Sequence, residues 1–170
     1  MKRRSDQRRA GALITLLVVL VGGFLISSRN NDPAPAAAAA APRPDESRQR
    51  FDQAVVMLHA RQYEHAVTAL HRVLMLSPQM PEAHVNMGFA LLGLKRVKEA
   101  RDFFDGATAL RPEQANAYYG LALAYEASCD LPMATGAMRS YLHLARNERP
   151  EHLSRARAAL WEWEQAGKPR

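Results

Sequence analysis

From residue 48 onward, apolar side chains recur every three to four positions, in segments separated by prolines and short polar turns. Phe51, Val55 and Leu58 set that spacing in the first segment, and Ala66, Leu70, Val73 and Leu74 set it in the next. The period is that of an amphipathic helix, and no segment alternates as a strand would. The segments also come in pairs. Sliding the sequence by 34 residues superposes Ala66, Ala100 and Ala134, Tyr63, Val97 and Leu131, and Pro78 with Pro112. A helix-turn-helix unit repeated at that length predicts a solenoid.

The first unit is expected to pair a helix over 48–60 with one over 63–76, which Pro78 stops. In the second, Pro81 opens a helix at a position where its missing N–H costs nothing. Val85, Gly88, Phe89, Leu91 and Leu92 fill that helix, and Val97, Ala100, Phe103, Phe104, Ala107 and Leu110 fill its partner. Gly88, Ala100 and Ala107 are small enough to let helices approach. Asn116 is the expected N-cap of the third unit, whose turn falls at Ser128–Asp130 before Leu131. Beyond Pro150 one more helix is predicted over 151–164, with Leu153, Ala156, Leu160 and Trp161 on its packed face and Trp163 partly exposed. The fold class is therefore an all-α solenoid of three repeats, about 47–80, 81–114 and 115–148, with a C-terminal capping helix and a tail at 166–170.

The first 46 residues follow another pattern. Residues 1–9 are basic, and residues 10–28 carry no charge. A helix of that length spans about 28 Å, close to the ~30 Å hydrocarbon core, so a transmembrane helix is expected. A cleavable signal peptide is the competing reading, with an apolar core of roughly 7–15 residues and a small-x-small site directly after it. Here Arg29 follows Ser28, and the first alanines arrive only at Ala34. The basic flank should stay in the cytoplasm, which would send the C-terminal domain across a bacterial inner membrane into the periplasm. Residues 29–46 bracket six alanines with Pro33, Pro35, Pro42 and Pro44 and are expected to form a semi-rigid spacer.

The net charge of +6 changes meaning once it is divided along the chain. Lys2, Arg3, Arg4, Arg8 and Arg9 against Asp6 give the head +4, and residues 45–170 carry only +1. No phosphate-tracking groove is implied, and no nucleic-acid partner is expected. Cys129 is the only cysteine, so no intramolecular disulfide can form. The six histidines, His59, His65, His71, His84, His143 and His152, include no pair at metal-binding spacing on one helix. No phosphate loop, nucleophile elbow or dinucleotide fingerprint occurs. Neither enzymatic activity nor a cofactor is expected. Lys98–Asp102 and Arg101–Asp105 have the spacing of helix-surface ion pairs.

Residues 47–147 resemble the tetratricopeptide repeat family, in a membrane-anchored bacterial form. Gly88, Ala100, Ala107 and Pro112 match its pattern in the second unit, Tyr118, Leu121, Ala122, Tyr125 and Ala134 in the third, and Tyr63, Ala66 and Pro78 in the first. The resemblance implies that the first helix of each unit lines a concave face binding an extended peptide or a partner helix. Carried onto this chain, the groove positions are Arg48, Phe51, Val55 and His59, then Glu82, Val85, Asn86 and Phe89, then Asn116, Tyr119, Leu123 and Glu126. Some relatives grip a terminal carboxylate there with basic and asparagine side chains. This chain keeps Asn86 but has Asp52, Val55, Phe89 and Gly120 at such places, which favours an apolar, aromatic-lined groove. The expected function is a membrane-anchored adaptor that binds a protein partner and contacts the bilayer through residues 10–28. The alternative is a non-catalytic accessory or assembly subunit of an inner-membrane complex, including cytochrome c maturation, envelope or secretion machinery.

Overall fold

The computed structural model describes residues 44–166. They form seven helices: α1 (Pro44–His59), α2 (Tyr63–Leu76), α3 (Pro81–Gly93), α4 (Val97–Leu110), α5 (Ala115–Ala127), α6 (Leu131–Leu144) and α7 (Pro150–Ala166). Each helix packs on the next in sequence. The odd-numbered helices α1, α3 and α5 also touch one another in turn, whereas no two even-numbered helices meet. The odd helices therefore form the inner layer of a curved stack. The backbones of α5 and α7 stand apart. The expected anchor at 10–28, the basic head and most of the spacer lie outside the described residues. No helix among the described residues is long and apolar enough to cross a membrane.

The repeat is written into the core. Ala54, Gly88, Ala122 and Ala156, each 34 residues from the last, are all buried on odd helices. Leu70, Phe104 and Met138 form the matching series on even helices, and all three are fully buried. Ala66, Ala100 and Ala134 are likewise inaccessible. Gly88 does more than let two helix backbones approach. A Cβ there would lie 2.6 Å from the Phe104 ring, and one at Gly120 would lie 2.2 Å from it. The two glycines make the slot that holds Phe104.

The turns within units repeat as well. Arg61, Lys95 and Cys129 have φ of 57°, 61° and 61°, in the left-handed region and 34 residues apart. The following amides of Gln62, Arg96 and Asp130 each donate to a carbonyl five residues back, those of Met57, Leu91 and Tyr125, at 2.9 Å. This is the Schellman closure, which glycine usually makes. For an L-residue the left-handed conformation costs about 1–2 kcal/mol. Cys129 is thus a turn residue, and it is exposed. Replacing Cys129 by glycine is expected to raise unfolding free energy by about 1 kcal/mol, the relief of strain exceeding the added freedom of the unfolded chain. Urea denaturation measures it, and an unchanged or lower midpoint at equal m-value would show that the turn carries no strain.

Four expectations are corrected. α1 begins at Pro44 rather than Arg48, because Ser47 is buried and its hydroxyl accepts a hydrogen bond from that of Ser77 at 3.0 Å, tying the start of α1 to the end of α2. Three residues assigned to the spacer are helical. Asn116 does not cap α5; Gln114 occupies that place without a side-chain cap bond. The packed tryptophan of α7 is Trp163, 6% exposed, while Trp161 is 62% exposed. Finally, neither Lys98–Asp102 nor Arg101–Asp105 is an ion pair among the described residues, and the Arg101 guanidinium lies instead over the Tyr125 ring at 5.0 Å.

A candidate peptide-binding groove

A cavity of about 640 Å³ opens on the odd-helix side. Its walls follow the order of the chain. Leu58, His59 and Tyr63 come from the α1–α2 turn, Asn86 and Phe89 from α3, Asn116 and Tyr119 from α5, and Tyr141 from α6. The α7 end supplies Glu148, Arg149, His152 and Arg155. The helical period explains the neighbours: Asn86 with Phe89, and Asn116 with Tyr119, lie three apart and share a face of one helix.

The floor is a row of rings running out of the core. Phe104 meets Phe89 edge-on with centroids 5.1 Å apart, Phe89 stands 6.4 Å from Tyr119, and Tyr119 stands 5.0 Å from Tyr141. Burial, then the charge of Glu148 and the neighbouring Tyr119, hold the Tyr141 phenol above its ordinary pKa, so it stays neutral. The rim is polar. Glu148 Oε2 is 3.3 Å from His152 Nδ1, and Arg149 is 3.3 Å from His152 Nε2. A neutral imidazole with its proton on Nδ1 satisfies both, donating to Glu148 and accepting from Arg149.

Five of the residues named from the sequence meet in this cavity: His59, Asn86, Phe89, Asn116 and Tyr119. The other seven are placed elsewhere. Phe51 and Val85 are buried in the core, and Val55 packs half-buried against it. Leu123 is half-buried outside the cavity lining. Arg48 is exposed, pairs with Asp52 at 3.6 Å, and lies over the Phe51 ring. Glu82 pairs with Arg111, which also donates to Gln114 at 3.1 Å, so it braces the end of α4. Partial burial disfavours the Glu82 carboxylate, but a backbone hydrogen bond and Arg111 outweigh it and lower its pKa. Glu126 accepts the indole N–H of Trp163 at 3.0 Å and belongs to the docking of α7.

Sequence reasoning missed the α7 wall, Tyr141, Leu58 and Tyr63. For α7 the signal was present, since Ala156 continues the small-residue series of Ala54, Gly88 and Ala122. α7 continues that series in sequence, but its backbone packs on α6 alone, with residues around its start facing the groove. The lining is also more polar than the apolar groove expected.

A second cavity, of about 440 Å³, lies between α2 and α4 over α3, with Leu74, Met75, Met87, Leu91 and Phe103 in its walls. Its rim groups partner each other: Arg96 pairs with Glu99 at 2.5 Å, and His84 Nε2 is 2.9 Å from the Pro78 carbonyl. Among the described residues no group of three or more histidine, cysteine, aspartate or glutamate side chains could hold a metal ion.

Residues 57–122 match the tetratricopeptide repeat family model. No curated protein matches the sequence. Several solved structures share the fold. The type III secretion translocator chaperone SycD of Yersinia enterocolitica is similar at 13% identity, with 73% of this chain and 87% of that chain covered and a TM-score of 0.68. The first tetratricopeptide domain of Spaghetti (RPAP3), bound to the HSP90 peptide SRMEEVD, is similar at 20% identity over 75% and 97%, with a TM-score of 0.66. The Sgt2 tetratricopeptide domain of Aspergillus fumigatus follows at 20% identity over 76% and 88%, with a TM-score of 0.63. The family match and these neighbours together support a tetratricopeptide-repeat solenoid.

Proposed function

We propose that the groove between α1, α3, α5 and α7 receives an extended segment of a partner protein. In this reading residues 10–28 hold the module at a bacterial inner membrane, with residues 44–166 on the periplasmic side. The observation that carries it is the set of polar side chains without partners beside a row of half-buried rings. Asn86 and Asn116 make no side-chain hydrogen bond among the described residues, yet both stand beside Phe89 and Tyr119. Such a surface offers an extended peptide both backbone hydrogen bonds and apolar contact. Structural neighbours are consistent with this use of the fold: SycD is seen with a peptide of the translocator YopD, and PcrH with the chaperone-binding region of PopD.

A photoreactive amino acid placed at Asn116 of the full chain in its own cells tests the groove. Asn116 is exposed and lines the cavity, whereas Arg72 on α2 is exposed and does not. The expected result is a discrete covalent adduct from position 116 and none from position 72. Equal cross-linking from both positions would show that the groove is not the contact surface.

A further inference from the structure

We infer that the partner segment is acidic: the α7 end of the groove selects an extended stretch with two carboxylate side chains two or three residues apart and an apolar residue between them. The inference rests on the groove reading above and deepens it. Hydrogen-bond donors outnumber acceptors at this end. Arg149 gives one amine to His152, and Arg155 gives Nε to the Glu151 carbonyl, both at 3.3 Å. The remaining guanidinium N–H groups, and the side-chain amides of Asn86 and Asn116, have no partner among the described residues. Glu148 is the only carboxylate of the lining, and it is already turned to His152.

A guanidinium presents a planar fork that a carboxylate matches in geometry and charge. Arg149 immediately precedes α7 and Arg155 lies in its second turn, an axial rise of about 9 Å at 1.5 Å per residue. An extended chain advances about 3.3 Å per residue, so two forks at that distance suit acidic side chains two or three positions apart. A chain terminus supplies a single backbone carboxylate and would fill one fork only. Tyr119 lines the same cavity as the two arginines, is half-buried with the buried Tyr141 5.0 Å behind it, and offers apolar surface to the residue between the acids.

The test uses the full chain and a panel of fluorescent hexapeptides, acetylated and amidated. They carry glutamate at positions two and four or two and five, with leucine or phenylalanine between. A matched panel has glutamine in place of glutamate. Fluorescence anisotropy is expected to find glutamate peptides that bind at least tenfold more tightly than their glutamine counterparts, with the advantage shrinking as salt is raised. The double variant Arg149→Gln with Arg155→Gln should bring that ratio to within twofold while the melting temperature stays unchanged, both side chains being exposed. Glutamate binding that survives the double variant overturns the inference, and so does equal binding by a free-acid peptide with one terminal carboxylate. If glutamate and glutamine peptides bind alike and both are lost in Tyr119→Ser, the groove reading stands and the acidic preference fails. If no peptide of either panel binds, the preference fails, and cross-linking at position 116 decides the groove by itself.

Discussion

Gly120→Ala is expected to destabilise the domain by about 1–3 kcal/mol, the range for forcing extra volume into a packed core. Helix propensity argues the opposite way. Gly120 lies mid-helix in α5, where alanine is favoured over glycine by about 1 kcal/mol. Packing decides the sign. The new methyl would stand 2.2 Å from a carbon of the Phe104 ring, well inside van der Waals contact. The ring has nowhere to retreat, because Gly88 flanks it from α3 and Phe89 meets it edge-on. Gly88→Ala should act in the same direction. Shortening the ring must then relieve the clash: Phe104→Leu should cost less in the Gly120→Ala background than alone, with a coupling above about 0.5 kcal/mol in a double-mutant cycle. Urea denaturation of the four proteins gives the numbers. A Gly120→Ala variant more stable than wild type would mean that propensity wins and the slot is loose.

The same pair of glycines shows how far the sequence could be read. Gly88 falls in the 34-residue small-residue series, so its burial was legible. Gly120 falls outside that series; its equivalents are Asp52 and Asn86, and only coordinates reveal that the Phe104 ring reaches it. Periodicity reports which face of a helix is covered, not which side chain covers it. The even-helix bounds at 63–76 and 97–110 followed from that period and from the prolines at 78 and 112. The start of α1 did not, because a buried Ser47–Ser77 contact extends the helix into proline-rich sequence. In the groove, His59, Asn86, Phe89, Asn116 and Tyr119 were named from the positions of the inner helices. Phe51 and Val85 carry the same periodic signal and are core; Val85 lies about 100° around α3 from the groove residue Asn86, a rotation that the period alone does not assign to groove or core. Arg149, His152 and Arg155 were missed for a different reason. A terminal helix read as a solvating cap is given no groove face, although the buried Ala156 continues the 34-residue series of Ala54, Gly88 and Ala122.

That terminal helix is where the second large effect is expected. Trp163→Ala should cost about 3–5 kcal/mol, the range for truncating a buried tryptophan, and the loss should be local. Trp163 is 6% exposed and its indole N–H donates to Glu126, whereas Trp161, two residues earlier, is 62% exposed. The steps from Leu153 to Ala156, Leu160 and Trp163 are three, four and three, so one stripe continues through Trp163, and Trp161 lies about 100° from Leu160. α7 packs its backbone against α6 alone, and stability in a stacked array is largely a matter of neighbouring elements. Removing the indole should therefore release α7 while the stack of α1 to α4 around Phe104 holds. Hydrogen exchange is expected to show lost protection over 150–166 and retained protection in α3 and α4. Trp161→Ala should stay within about 0.5 kcal/mol of wild type, as surface substitutions usually do. Equal losses in the two variants would place α7 in some other register. The functional consequence follows from the wall that α7 provides. With it released, Arg149, His152 and Arg155 leave the groove together, and partner cross-linking from position 116 should fall in Trp163→Ala but not in Trp161→Ala.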